Sequence, residues 1–158
     1  MELGLNIKPA DRSEGLEYEI FQIGDRADHL KPVFEHIVVK IMNREKRMFE
    51  SRGATSGTYW TPLREKTVKE KRRELAPFPE RPLWRTGKLM RSLTERGAEG
   101  QILQISDDTF RFGTKINYAA FHESGNKNMA ARPPLVIPKK HAQEYIDDIE
   151  RYVFEGEL

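Results

Sequence analysis

Four histidines, His29, His36, His122 and His141, are the first residues to weigh for chemistry. No two of them stand at the i, i+4 spacing with which one helix face holds a metal. His122-Glu123 opens like the His-Glu-x-x-His pair of a zinc hydrolase, but Asn126 occupies the place of the second histidine. A half-buried ring bonded to backbone accounts better for His122. The acidic pairs Asp107-Asp108 and Asp147-Asp148 read as a hairpin turn and a helix surface, with no basic or apolar setting to tune a proton. Gly113-Thr114-Lys115 lacks the upstream glycines of a phosphate loop, and Ser124 lacks the two-sided glycine frame of a nucleophile elbow. The chain has no cysteine, which removes thiolate metal sites, disulfides and cysteine nucleophiles. The expectation is no enzyme, no metal and no organic cofactor.

Binding chemistry is better represented. Between Arg64 and Glu74 stand Arg64, Lys66, Lys69, Lys71, Arg72 and Arg73, with Tyr59, Trp60 and Trp84 near by. Such a set could contact phosphates and stack on bases. Glu65, Glu70 and Glu74 are interleaved and dilute the field, so a solvated, salt-bridged helix is the favoured reading and at most weak contact with DNA is expected. The overall charge of +2 agrees, being too small to demand a nucleic-acid or membrane partner.

The elements that must carry these residues come from a polar chain of 158 residues, 37% hydrophobic and 33% charged, with mean hydropathy −0.72. That length predicts a single domain over 1–158. Acidic Glu2 and the lack of a long apolar run argue against a signal peptide, and no stretch approaches the roughly 18 apolar residues of a membrane span. A chain made and kept in a cytoplasm is expected.

Along it, Leu3, Leu5 and Ile7 alternate with polar or small residues up to Pro9, and Tyr18 to Ile23 alternate again, so residues 1–24 read as N-terminal strands or as an arm that pairs with a neighbour. Apolar residues from Leu30 to Phe49 recur at helical spacing. They predict one long helix from about Asp28 to Arg52, with Asp28 as N-cap and Glu35, Lys40, Arg44 and Lys46 on the wet side. Residues 54–85 lose the periodic pattern and, with Pro77, Pro79 and Pro82, read as a long flexible loop. Thr86 can cap a short helix ending near Gly97. A hairpin follows, from Ile102–Ile105 to Thr109–Thr114, and Pro138 opens a last helix ending at Gly156 with Ala142, Tyr145, Ile146, Ile149, Tyr152 and Val153 on its buried side. The architecture predicted is α+β: a small antiparallel sheet packed on one long helix, with a C-terminal helix and a long extended loop.

The hub of the chain is Phe110 to Leu135. It runs from strand through the apolar turn Tyr118-Ala119-Ala120-Phe121-His122 to Gly125, and then to Ala131-Arg132-Pro133-Pro134-Leu135, which its prolines hold extended. Three blocks now stand in order. They are Trp60-Thr61-Pro62-Leu63 with Thr67 and Lys71; Leu83 with Thr86-Gly87-Lys88-Leu89 and Ser92-Leu93; and Phe112-Gly113-Thr114, Tyr118-Ala119, His122-Glu123-Ser124-Gly125 and Ala131-Arg132-Pro133 with Leu135. This set, over about residues 45–153, resembles the phage virion morphogenesis family, whose members include tail-completion and head–tail joining proteins of tailed bacteriophages and prophages. The family's Pro-Ala-Arg-Pro-Phe-Leu stands here as Ala130-Ala131-Arg132-Pro133-Pro134-Leu135.

The resemblance implies a structural subunit that completes the tail or joins it to the head. It would act in a ring of its own copies and contact tail-tube or head–tail connector proteins, in the virion and, during assembly, in the host cytoplasm. A neck or adaptor protein of the same fold is the nearest alternative. A nucleic-acid-binding module using residues 64–73 is the alternative from another class, and a hydrolase at His122 and Glu123 the remotest. The residues expected at subunit or partner interfaces are Trp60, Leu63, Trp84, His122, Arg132 and Pro133, because aromatics and arginine dominate interface energetics. For the two tryptophans, pinning a loop to the core is an equal reading; for Tyr118, core packing is expected. Arg132 is expected to form an ion pair, across an interface or within the fold.

Overall fold

The computed structural model describes residues 9–57 and 59–158, with side chains from residue 15 onward. Its elements are α1 (Pro9–Asp28), α2 (Lys31–Glu50), α3 (Glu65–Arg73), α4 (Lys88–Thr94), β1 (Gln101–Ile105), β2 (Phe110–Thr114), α5 (Ala119–Ser124) and α6 (Lys139–Glu155). The two strands pair antiparallel in register Ile105↔Phe110 to Gln101↔Thr114. The fold is α+β, as the sequence pattern predicts, with far more helix than sheet.

Helix α2 is the spine because its apolar residues fall on one stripe of a 3.6-residue period. Val33, Phe34, Ile37 and Ile41 pack with Ile105, Phe110, Tyr145, Ile149 and Tyr152. About two turns later Met48 and Phe49 pack with Trp60, Leu89 and Leu93. Phe112 touches both groups, so the hairpin joins two cores along one helix. Phe34 and Phe110 meet with ring centroids 5.2 Å apart.

The N-terminal region departs from expectation. Tyr18–Ile23 is helical, not a strand, and Pro9 opens α1 instead of stopping a strand. Leu16, Ile20 and Ile23 also satisfy the helical spacing, and over so short a run the two periods compete; proline in a first turn suits a helix. The Leu3-Leu5-Ile7 alternation lies outside the described residues. The long helix does not begin at Asp28 either. Pro32 sits in the first turn of α2, where it has no N–H for the Asp28 carbonyl and its ring crowds that carbonyl, so one continuous rod is broken at His29-Leu30. Leu30, not Asp28, is the N-cap, and its N–H donates to the Asp107 carbonyl of the hairpin turn at 2.9 Å.

Two charged positions also move. Arg44 is buried beside fully buried Glu45, bonded to it at 2.6 Å and to the Tyr145 hydroxyl at 2.7 Å. Asp148 is no surface residue: it is buried against Lys40, with both carboxylate oxygens within 2.8 Å of the ammonium. These two sites join α2 to α6. On α6 Ile146 is half exposed, contrary to its expected burial, and on the hub turn Tyr118 is exposed instead of packed in the core.

Candidate interaction surface

The segment 54–85 is not one structureless loop. Ala54–Ser56 form a 3-10 turn and α3 a nine-residue helix, and three side chains tie the remainder down. Trp60 is the first, 1% exposed, edge-on to Phe49 at 5.2 Å, with its indole N–H donated to the Pro133 carbonyl at 3.2 Å. Lys71 is the second. Its buried ammonium donates to the carbonyls of Phe78 (3.1 Å) and Arg81 (2.7 Å), which closes the proline-rich turn onto α3. Burial, then the neighbouring charge of Arg85, lowers its pKa. The third is Trp84, half-buried and edge-on to Phe78 at 4.8 Å, with the Arg81 guanidinium over both rings.

Arg132 holds the backbone that follows Trp60. Its Nε donates to the Thr61 carbonyl at 2.7 Å, Nη2 to that of Pro62 at 3.2 Å and Nη1 to that of Ala130 at 3.4 Å, while its backbone N–H bonds the His122 carbonyl at 2.7 Å. The side chain is 7% exposed. Arg132 therefore pins the fold, but through carbonyl oxygens and not through the expected carboxylate. A planar fork of donors suits two successive carbonyls as well as it suits a carboxylate. The turn before it needs Gly125, whose φ is +67° and where a Cβ would lie 2.7 Å from the Ala131 nitrogen and 2.8 Å from the Met129 oxygen.

Five of the six expected residues thus come together. Trp60, Arg132 and Pro133 form a lock between two extended segments, and Leu63, His122 and Arg132 line an open cleft of about 440 Å³ over it. Trp84 packs against the same core as Trp60, from the proline-rich turn. The anchoring expected of Trp60 and Arg132 is exercised within the chain, since burial leaves their side chains almost no surface. His122 is half-buried, edge-on to Tyr118, and its Nδ1 has no partner among the described residues in place of the expected bond to backbone. Burial, with the charge of Arg132 adding to it, lowers its pKa, so the ring is neutral at physiological pH.

The sequence reading missed Lys71 as a pin and the Arg44–Glu45 pair. Its place in the motif block, four residues after Thr67, is the signal that sets Lys71 apart from the charged residues around it. Half of the six cations in the basic segment have partners. Besides Lys71, Lys69 pairs with Glu65 and Arg72 with Glu80, and Glu74 holds Arg85 bidentately. Among the described residues no three His, Asp or Glu side chains form a group suited to a metal, and no helix is long and apolar enough to cross a membrane.

A helical frame carrying one hairpin, with its distinctive arginine, lysine and tryptophan all spent on clamping extended segments, defines a small α+β protein whose motif residues are architectural. The chain belongs to the phage virion morphogenesis family, whose model matches residues 12–154. It is thus a virion morphogenesis protein of a bacteriophage. The match starts far ahead of residue 45, so most of α1 falls within the family unit, although the motifs begin only near Trp60. No curated protein and no solved structure matches the chain.

Proposed function

We propose that this protein is a non-catalytic structural subunit that completes the phage tail or joins it to the head, working as one member of a ring in the tail or neck of the virion. Family membership over nearly the whole chain carries the reading. The clamped segments support it, because a part that must mate with tail-tube or connector proteins gains from contact loops ordered in advance. Trp60, Arg132 and Pro133 set the shape of that contact region, and Leu63, His122 and Trp84, which keep some surface, make the contacts themselves. The pairing of cations on α3 favours this reading over nucleic-acid binding.

The test is a phage or prophage lacking this gene, complemented in trans and scored by electron microscopy. The expected result is filled heads and separate tails without the gene, and joined particles with it. Infectious, joined particles without the gene overturn the assignment. Native mass spectrometry of the purified protein tests the ring by the number of copies it holds.

A further inference from the structure

Arg132 carries a charge that no acid of the described chain balances. Its guanidinium is held by three neutral carbonyls, and no carboxylate lies within ion-pair distance of it among the described residues. A guanidinium has five N–H donors; three are used here, and the others find no acceptor among the described residues. Burial lowers the Arg132 pKa with no neighbouring acid to oppose it. The same side chain, although 7% exposed, lines the cleft of about 440 Å³. A buried charge without a counter-ion is costly, and an opposite charge brought from outside offsets that cost.

The rest of the cleft has the same sign. Arg64 lines it, is exposed, and has no ion-pair partner among the described residues. Arg85 lines it too, with its own charge met by Glu74. His122 adds a neutral ring, and none of the lining residues is an Asp or Glu. Beside these cations stand the apolar side chains of Leu63 and Met129, both partly buried. We infer that the cleft receives an acidic side chain, Asp or Glu, carried on an aliphatic segment of a neighbouring virion protein.

The carboxylate answers both charges at once. It is the counter-ion that Arg132 lacks, and Arg64 meets it from the exposed side. Charge-assisted bonds of this kind are about twice as strong as neutral ones. Their donors are held in place beforehand on the Arg132 side, where three carbonyls fix the guanidinium, so little ordering is left to do on binding. The apolar walls take the flanking aliphatic residues. A nucleic-acid strand fits less well, because it presents a row of phosphates, whereas the cations nearest along α3, Lys69, Lys71 and Arg72, already have partners. That the segment belongs to a virion protein rests on the reading above; the carboxylate rests on the cleft alone.

The probe is a blocked Leu-Glu-Leu tripeptide, with blocked Leu-Gln-Leu as its control, titrated into the full chain. Binding is followed by NMR at the Arg132 Nε–H and at the backbone amides of Thr67 and Asn128, which also line the cleft. The acidic peptide should shift these signals saturably and bind about tenfold or more tightly than the control. Arg64→Gln removes an exposed side chain that makes no cap bond to α3, so it should melt as the parent does and lose most of that preference. Equal affinity for the two peptides, or no saturable shift, overturns the inference. So does a short single-stranded oligonucleotide that moves the same signals at lower concentration, since the anion would then be a phosphate. In the phage, Arg64→Glu should leave the protein folded and prevent joining; joined particles at parental yield overturn the assignment of the cleft to a virion partner. If the gene itself proves dispensable for joining, the tail or neck reading fails, and the peptide preference alone decides the cleft.

Discussion

Replacing Arg132 by alanine should destabilise the monomer itself. The guanidinium makes its two shortest side-chain bonds at 2.7 and 3.2 Å to successive carbonyls, and it is 7% exposed. A hydrogen bond from a charged group contributes roughly 1.5–3 kcal/mol net. Thr61 and Pro62 are themselves exposed, so water can reach their carbonyls after the change, which favours the low end for each bond. The loss should total about 2–4 kcal/mol, with lost packing of the aliphatic stem included. In a chain of this size that lowers the melting temperature by roughly 5–15 °C. Arg132→Lys should recover about half of the loss, since one ammonium can serve both carbonyls but not as a planar fork. Because no carboxylate is involved, the deficit should persist at high salt, where an exposed ion pair would already be screened. Thermal melting of the three proteins at low and high salt measures all of this. An alanine variant melting within about 2 °C of the parent would refute the lock.

Glu45 gives a pH signature: burial, only partly offset by Arg44, raises its pKa from 4.5 to about 7. The folded state therefore holds that proton more tightly than the unfolded state. Stability falls as pH rises from about 4.5 to about 7 and is flat above, by about 3 kcal/mol at most. Glu45→Gln should melt at least as high as the parent at pH 8 and lack that fall; equal pH profiles for the two proteins would disprove it. Lys71→Met should release the turn at Phe78–Arg81, seen as faster hydrogen exchange over residues 74–85 with α2 unchanged, and unchanged exchange there would remove Lys71 as its pin. Duplex and single-stranded DNA should bind weakly, with Kd above about 1 µM at 150 mM salt, because most cations of α3 already have partners. Submicromolar binding lost on replacing Arg64, Lys66 and Arg73 would restore the nucleic-acid reading.

What the sequence made legible was whatever repeats. The spine from Val33 to Phe49, the hairpin, and α6 from Pro138 to Gly156 each carry a period, a turn or a cap, and each is in place. Glycines and prolines of the hub likewise announced a helical turn, a stop at Gly125 and an extended segment. Short or mixed patterns misled. Tyr18–Ile23 satisfies two periods, and over so short a run the pattern does not decide between them. Burial of charge was equally hidden. Arg44 and Asp148 lie at the margins of apolar stripes, and only the approach of α6 to α2 shows that each has a partner. Arg132 was expected to meet a carboxylate, but its partners are backbone oxygens, which every residue carries and no motif can advertise.

The lock shares one piece of chain with an open groove of about 660 Å³ beside β2, lined by Ile41, Phe110, Phe112, Leu135 and Ile137, and that ties the shape of the groove to the stability of the fold. Arg132 and the Trp60 bond fix residues 132–133, and two positions later Leu135 begins one wall of the groove at β2, which Ile137 continues. Prolines at 133, 134 and 138 leave few dihedrals between them to absorb a displacement. A released Arg132 should therefore shift the wall as a unit. Two variants separate the effects. Ile137→Glu puts a charge into the groove from a half-exposed position, so it should weaken self-association while leaving melting nearly unchanged. Arg132→Lys should weaken both in proportion, because it reaches the groove only by way of the fold. If Arg132→Lys lowers melting and leaves association untouched, the rod is not rigid enough to link them, and the groove wall is held by the packing of Leu135 on the core around Trp60.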